Sequence, residues 1–186
     1  MGIHTLASGR FGHGAGHVWG DRLTWGTGSP VAGCGRGGTS CKVGEVVVSG
    51  AAVPEGATNF GDQIALLDVQ LDPPTLVPGG QQNVTVQWQA LASLSDDYTV
   101  FVQVVNSGGV VVQVDSWPLQ GTYPTSQWRI GEVIRDPYLL YLPAELPEDN
   151  YQLLIGLYRL ADLQRVPVLA EQGFPVDDKA TFPLAK

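Results

Sequence analysis

The chain has 186 residues, a formal net charge of −8, 44% hydrophobic residues and 15% charged residues. That length suffices to bury a core without disulfides or metals, and so acidic a chain is repelled by phosphate backbones, which argues against nucleic acid and anionic membrane surfaces as partners. With 24 Gly and 13 Pro the composition favours many turns and short strands over long helices.

The first segment runs from Met1 to Thr58 and holds 15 of the 24 glycines, all three histidines and both cysteines, with four basic residues against three acidic ones. It reads Gly-His-Gly-Ala-Gly-His, then Gly-Thr-Gly-Ser-Pro, then Gly-Cys-Gly-Arg-Gly-Gly. It keeps no period of two or of 3.6, and only Glu45-Val46-Val47-Val48 has the look of a strand. So much glycine loses backbone entropy on ordering and buries little, so the expectation is disorder, or a start codon assigned too far upstream. The start, Met1-Gly2-Ile3-His4, has neither the basic nor the apolar region of a signal peptide. No stretch reaches the roughly 18 apolar residues of a membrane span. Taken at face value these features describe a soluble, unexported chain, unless it is a fragment of a longer one.

From Asn59 to Lys186 there are six basic and 15 acidic residues, and strand-like runs recur between turn signals. Ile64 to Leu71 is the first, closed by Pro73-Pro74 and Pro78-Gly79-Gly80. Asn83 to Ala90 alternates, with Val84, Val86 and Trp88 on one face and Thr85, Gln87 and Gln89 on the other. Tyr98 to Val105 and Val110 to Asp115 flank Asn106-Ser107-Gly108-Gly109, a hairpin turn. Glu132 to Leu142 and Tyr151 to Tyr158 follow, and Phe174 to Phe182 is a weak last strand. Leu91 to Asp97 and Leu160 to Gln164 each have room for a helical turn. About seven strands with one wet face each imply an all-β fold, a two-sheet antiparallel sandwich of Ig, fibronectin-III or jelly-roll type.

A nucleophilic triad needs a base in reach of Ser, Cys or Thr, and residues 59–186 contain no His and no Cys. His13 and His17 have the spacing of two ligands on one helical face, but the glycines between and around them disfavour a helix. Cys34 and Cys41 do not match a zinc knuckle; they are sterically able to form a disulfide, or to remain free thiols. Asp96-Asp97 and Asp177-Asp178 lack a calcium-loop pattern and read as solvated turn residues. Asn83-Val84-Thr85 matches a glycosylation sequon inside a predicted strand and is discounted. The reading therefore carries no catalytic residue, no metal site and no cofactor.

The aromatics of the long connection Ser116 to Gly131 remain. Trp117, Tyr123 and Trp128 are either a flat platform on which a sugar ring stacks, or plugs that close the end of the sandwich. Pro118 and Pro124 beside them favour the plug, because Pro and Trp together hold a long crossover in place. If a sugar platform exists, these three residues form it.

Several segments in order carry a resemblance. They are Phe60-Gly61-Asp62-Gln63-Ile64; Leu76-x-Pro78-Gly79 leading to Val86-x-Trp88-x-Ala90; Asp97-Tyr98-Thr99-Val100-Phe101-Val102; Gly121-Thr122-Tyr123-Pro124-Thr125-Ser126-x-Trp128; Gly131-Glu132-Val133-Ile134-x-Asp136; and Tyr151-x-Leu153-x-Ile155-Gly156-Leu157-Tyr158. Together they resemble the C-terminal β-sandwich domain of membrane-embedded bacterial glycosyltransferases of the dolichyl-phosphate-mannose mannosyltransferase-like kind. The resemblance covers Asn59 to Lys186 and none of Met1 to Thr58. Asp149-Asn150 stands where the family has Gly before the Tyr of its penultimate strand, and a Gly-rich stretch stands where transmembrane helices precede the domain. The family's catalytic residues lie in its membrane part, so none carries over.

The resemblance implies a non-catalytic accessory module in cell-surface glycan assembly, outside the cytoplasmic membrane, with a glycan or a membrane glycosyltransferase as partner. The alternative is an Ig-like protein–protein interaction domain, protease-inhibitor-like types included, and an enzyme is the third reading.

Overall fold

Alternation of apolar and polar residues builds this protein two sheets with a shared interior. The computed structural model describes residues Gly50–Lys186. The readings that fall on residues 1–49, among them Glu45–Val48, His13, His17, Cys34 and Cys41, lie outside the described residues.

The described strands are β1 (Thr58–Phe60), β2 (Ile64–Asp72), β3 (Gln81–Ala90), β4 (Tyr98–Asn106), β5 (Gly109–Ser116), β6 (Val133–Tyr141), β7 (Tyr151–Arg159), β8 (Gln164–Arg165), β9 (Val168–Leu169), β10 (Pro175–Asp177) and β11 (Ala180–Leu184). One sheet has the order β10-β9-β1-β2-β3-β6 and the other β11-β7-β4-β5, with β8 also on β7. All of these strand pairings are antiparallel. This is the expected all-β sandwich. No helix among the described residues is long and apolar enough to cross a membrane.

The core follows the period of two. On β3, Val84, Val86, Trp88 and Ala90 are fully buried while their neighbours meet solvent. Val100, Val102 and Val104 of β4 and Leu153, Ile155 and Leu157 of β7 face them from the other sheet. Trp88 meets Phe60 edge-on at 5.9 Å, an arrangement the ring quadrupoles favour.

The strands differ from expectation in two places. The run Phe174 to Phe182 is not one strand: β10 pairs with β9 in one sheet and β11 with β7 in the other, so the chain changes sheets at Asp178-Lys179. The count also rises from about seven to eleven, because β1, β8, β9 and β10 are only two or three residues long, too short for alternation to reveal. Of the two expected helical turns, Leu160 to Leu163 forms one, closed by Leu163 N–H donating to Arg159 O at 2.8 Å. Leu91 to Asp97 is extended and bent.

β4 also buries part of its outer face. Phe101 lies there at 2% exposure, across from Gly156 on β7. A Cβ at Gly156 would come within 2.4 Å of that ring, so glycine is what lets the ring lie flat. The Arg165 guanidinium stacks 4.5 Å above the ring centroid and seals it.

Candidate functional site

Pairings of Tyr98 with Arg159, Val100 with Ser116, Ile64 with Ala90 and Gln89 with Val133 place the same ends of β2 to β7 at one pole of the sandwich. Two features meet there: the crossover from Trp117 to Glu132 and a cleft.

The crossover carries the three aromatics named from sequence, and it gives them three different roles. Trp128 is only 4% exposed and belongs to the core, so it has no ring face for a sugar. Its indole N–H donates to Tyr123 O at 3.3 Å. Of the two alternatives the sequence raised, platform or plug, the burial of Trp128 fits the plug it favoured, and a short 3-10 helix, Thr125–Gln127, leads into it. Tyr123 is half-buried against the core, with its hydroxyl 3.1 Å and 3.2 Å from the two Glu132 carboxylate oxygens. Burial first, and then Glu132, push the phenol above its usual range. Trp117 alone of the three is exposed, at 38%.

A buried carboxylate anchors the crossover. Leu119, Gln120 and Gly121 are successive left-handed residues, with φ of +52°, +56° and +86°. Leucine and glutamine resist that conformation, so something must hold it. Leu119 N–H donates to Asp136 Oδ1 at 2.8 Å, and Tyr138 donates its hydroxyl to the other oxygen in a short hydrogen bond. Asp136 is fully buried on β6. Burial is the main cause that raises its carboxyl above the ordinary range, while these donors pull the other way. The Trp88 indole N–H lacks a hydrogen-bond partner of ordinary geometry but lies near enough to favour the charged form as well.

Thr125 joins the crossover to the cleft. Its hydroxyl donates to Asp96 O at 2.8 Å and accepts from Tyr98 N–H at 2.9 Å. Asp97 accepts from Ser126 N–H at 3.1 Å, so the acidic pair at the head of β4 is held by the crossover. Asp96, read from sequence as a solvated turn residue, keeps a partly exposed side chain and also forms one wall of the cleft, where it meets Arg159 at 3.3 Å.

The cleft has a volume of about 310 Å³. Tyr98, Val166 and Pro167 form its apolar part, with Tyr98 and Val166 nearly buried. Its polar wall consists of Gln63, Asp96, Arg159, Gln164 and Arg165. Tyr98 donates its hydroxyl to Gln63 Oε1 at 2.9 Å, which fixes the amide and leaves its NH₂ donors without a partner among the described residues. Arg159 grips Asp162 through two nitrogens, at 3.1 Å and 2.6 Å. Asp162, ahead of Asp96, raises the guanidinium pKa, and the same contact lowers the Asp162 carboxyl. Arg159 also reaches Gln164 Oε1 at 3.4 Å. Arg165 pairs with Asp178 at 3.0 Å.

Sequence reasoning missed this cleft. Its residues come from the β1–β2 turn, the approach to β4, the end of β7 and the β8 hairpin, and no local spacing connects them. Among the described residues no three His, Cys, Asp or Glu side chains gather as a metal cluster.

No family model matches this sequence, and no curated protein matches it. A similar solved structure is a β-glucuronidase from glycoside hydrolase family 2, at 13% identity and a TM-score of 0.38. The similarity covers 63% of this chain and 11% of that one, and a likeness so shallow carries no argument about ligand or activity.

Proposed function

We propose that this protein is a non-catalytic β-sandwich accessory module that acts by weak carbohydrate contact through the polar cleft. The observation that carries the reading is the composition of that cleft. An apolar floor whose accessible part is the half-buried Pro167, beside the edges of Tyr98 and Val166, suits a small patch of a sugar ring's C–H face, and amides, a carboxylate and guanidinium groups beside it suit its hydroxyls. The cleft's small volume and open polar wall favour weak binding. Its setting in cell-surface glycan assembly, outside the cytoplasmic membrane, rests on the sequence resemblance over Asn59 to Lys186.

The non-catalytic part of the reading is supported by the state of the carboxylates. Asp96 and Asp162 are both engaged by Arg159, and Asp178 by Arg165 and Lys179, so each carboxylate of this network already has a cationic partner. The described residues also contain no His or Cys.

Affinity electrophoresis in gels cast with soluble polysaccharides tests this. The protein is expected to be retarded by at least one glycan, and Arg159→Gln to migrate freely with its melting temperature kept. Free migration of the wild-type protein in every gel overturns the proposal.

A second reading, docking of a protein partner, is favoured by one observation. On β6, an edge strand, Val133, Leu139 and Tyr141 share the outer face at 51%, 37% and 65% exposure. An exposed edge of this kind can accept an added strand. That partner's binding is expected to be lost in Tyr141→Ser and untouched by Arg159→Gln.

A further inference from the structure

Both arginines of the cleft are already neutralised. Arg159 lies between Asp96 and Asp162, and Arg165 is paired with Asp178. Three carboxylates against two guanidinium groups leave one negative charge in excess. Including Lys179 and Asp177, which join the same network at 3.2 Å and 2.8 Å, leaves that excess unchanged. Asp97 beside Asp96 adds further negative charge at this pole. Among the described residues of the cleft an anionic ligand gains no free cation, and it meets the excess negative charge.

A cationic ligand fits poorly for a different reason. An ammonium group only donates, and the amide N–H groups of Gln63 and Gln164, which have no partner among the described residues, are donors too. A hydroxyl both donates and accepts. It therefore satisfies the amide N–H groups and the Asp96 carboxylate at once. We propose that the cleft selects an uncharged polyhydroxylated ligand, a neutral sugar, and rejects the corresponding uronate. This rests on the carbohydrate reading above and adds a charge rule to it.

Asp162 and Asp178 supply two of the neutralising charges without lining the cleft. Their replacement by Asn removes both charges and leaves one amide oxygen at each position to accept from Arg159 and Arg165. The test is an NMR titration of the full chain with the methyl glycosides of gluco-, manno- and galactopyranose, each beside its uronic acid. The wild-type protein is expected to bind at least one neutral glycoside and its uronate at least about fivefold more weakly, the scale of one or two screened charge contacts. In the double variant Asp162→Asn, Asp178→Asn the uronate is expected to gain about fivefold or more relative to its neutral glycoside. Equal binding of neutral and acid forms by the wild-type protein overturns the charge rule and leaves the carbohydrate reading standing. No saturable shift with any of the six overturns both.

Discussion

The Asp136 carboxylate accepts the backbone N–H of Leu119 at 2.8 Å and so ties edge strand β6 to the left-handed turn that opens the crossover. Without it the Leu119 N–H and the Tyr138 hydroxyl would be left without their acceptor in a buried environment. Asp136→Ala is expected to cost about 2–4 kcal/mol, from two stranded donors. Urea denaturation of the full chain measures this, and a loss below about 0.5 kcal/mol would show that the turn holds itself.

The same residue has a pH signature. Its folded-state carboxyl lies above the ordinary value of 3.8 because burial disfavours the charge. The proton-linked part of its contribution is therefore complete below 3.8 and is lost as pH rises through the folded value, while its hydrogen bonds to Leu119 and Tyr138 remain. Exposed Asp149, Asp162 and Asp177 have lowered values and act in the opposite direction as pH falls, but they are common to wild type and variant and cancel in a difference. The stability of wild type minus that of Asp136→Asn is expected to decrease with rising pH. A difference that increases would assign Asp136 a lowered value instead.

Trp128 and Trp117 provide a paired test of the crossover. Trp128→Ala empties a core position and is expected to cost about 3–5 kcal/mol. Trp117→Ala, at an exposed position, is expected to cost less than about 1 kcal/mol. Chemical denaturation followed by circular dichroism compares them without relying on the lost fluorophore.

Phe101 and Gly156 make a second pair. The Cβ of Gly156→Ala would press on the Phe101 ring and on Asp178 O, 3.0 Å away, at a cost of about 1–3 kcal/mol. Phe101→Leu removes the outer ring atoms that clash. The double variant is expected to be more stable than the sum of the single losses implies, and strict additivity would place the strain at Asp178 O.

These pairs show what local pattern reveals and what it does not. Alternation identified β3, β4 and β7, because each sets every second side chain on the core. It could not reveal that Phe101, on the outer face, is also buried, since the Gly156 and Arg165 that cover it lie on other strands. Trp117, Tyr123 and Trp128 were legible as a group bound to one crossover. Their division into exposed, half-buried and core depends on the 3-10 turn at Thr125 and on the Asp136 anchor, neither of which has a periodic signal. The left-handed Leu119 and Gln120 were invisible for the same reason, as neither residue type announces that conformation. Gln63, Asp96, Arg159 and Gln164 are distant in sequence and meet only once both sheets have formed.

The proposed contact with sugar runs through the cleft and not through the aromatic crossover. A ¹H–¹⁵N titration of the wild-type protein with neutral oligosaccharides tests it most directly, because the side-chain amides of Gln63 and Gln164 and the indole of Trp117 give separate signals. The account predicts saturable shifts of the Gln63 and Gln164 amides with the Trp117 indole unmoved. A saturable shift of the Trp117 indole with both amides unmoved would contradict it and place the sugar on the crossover.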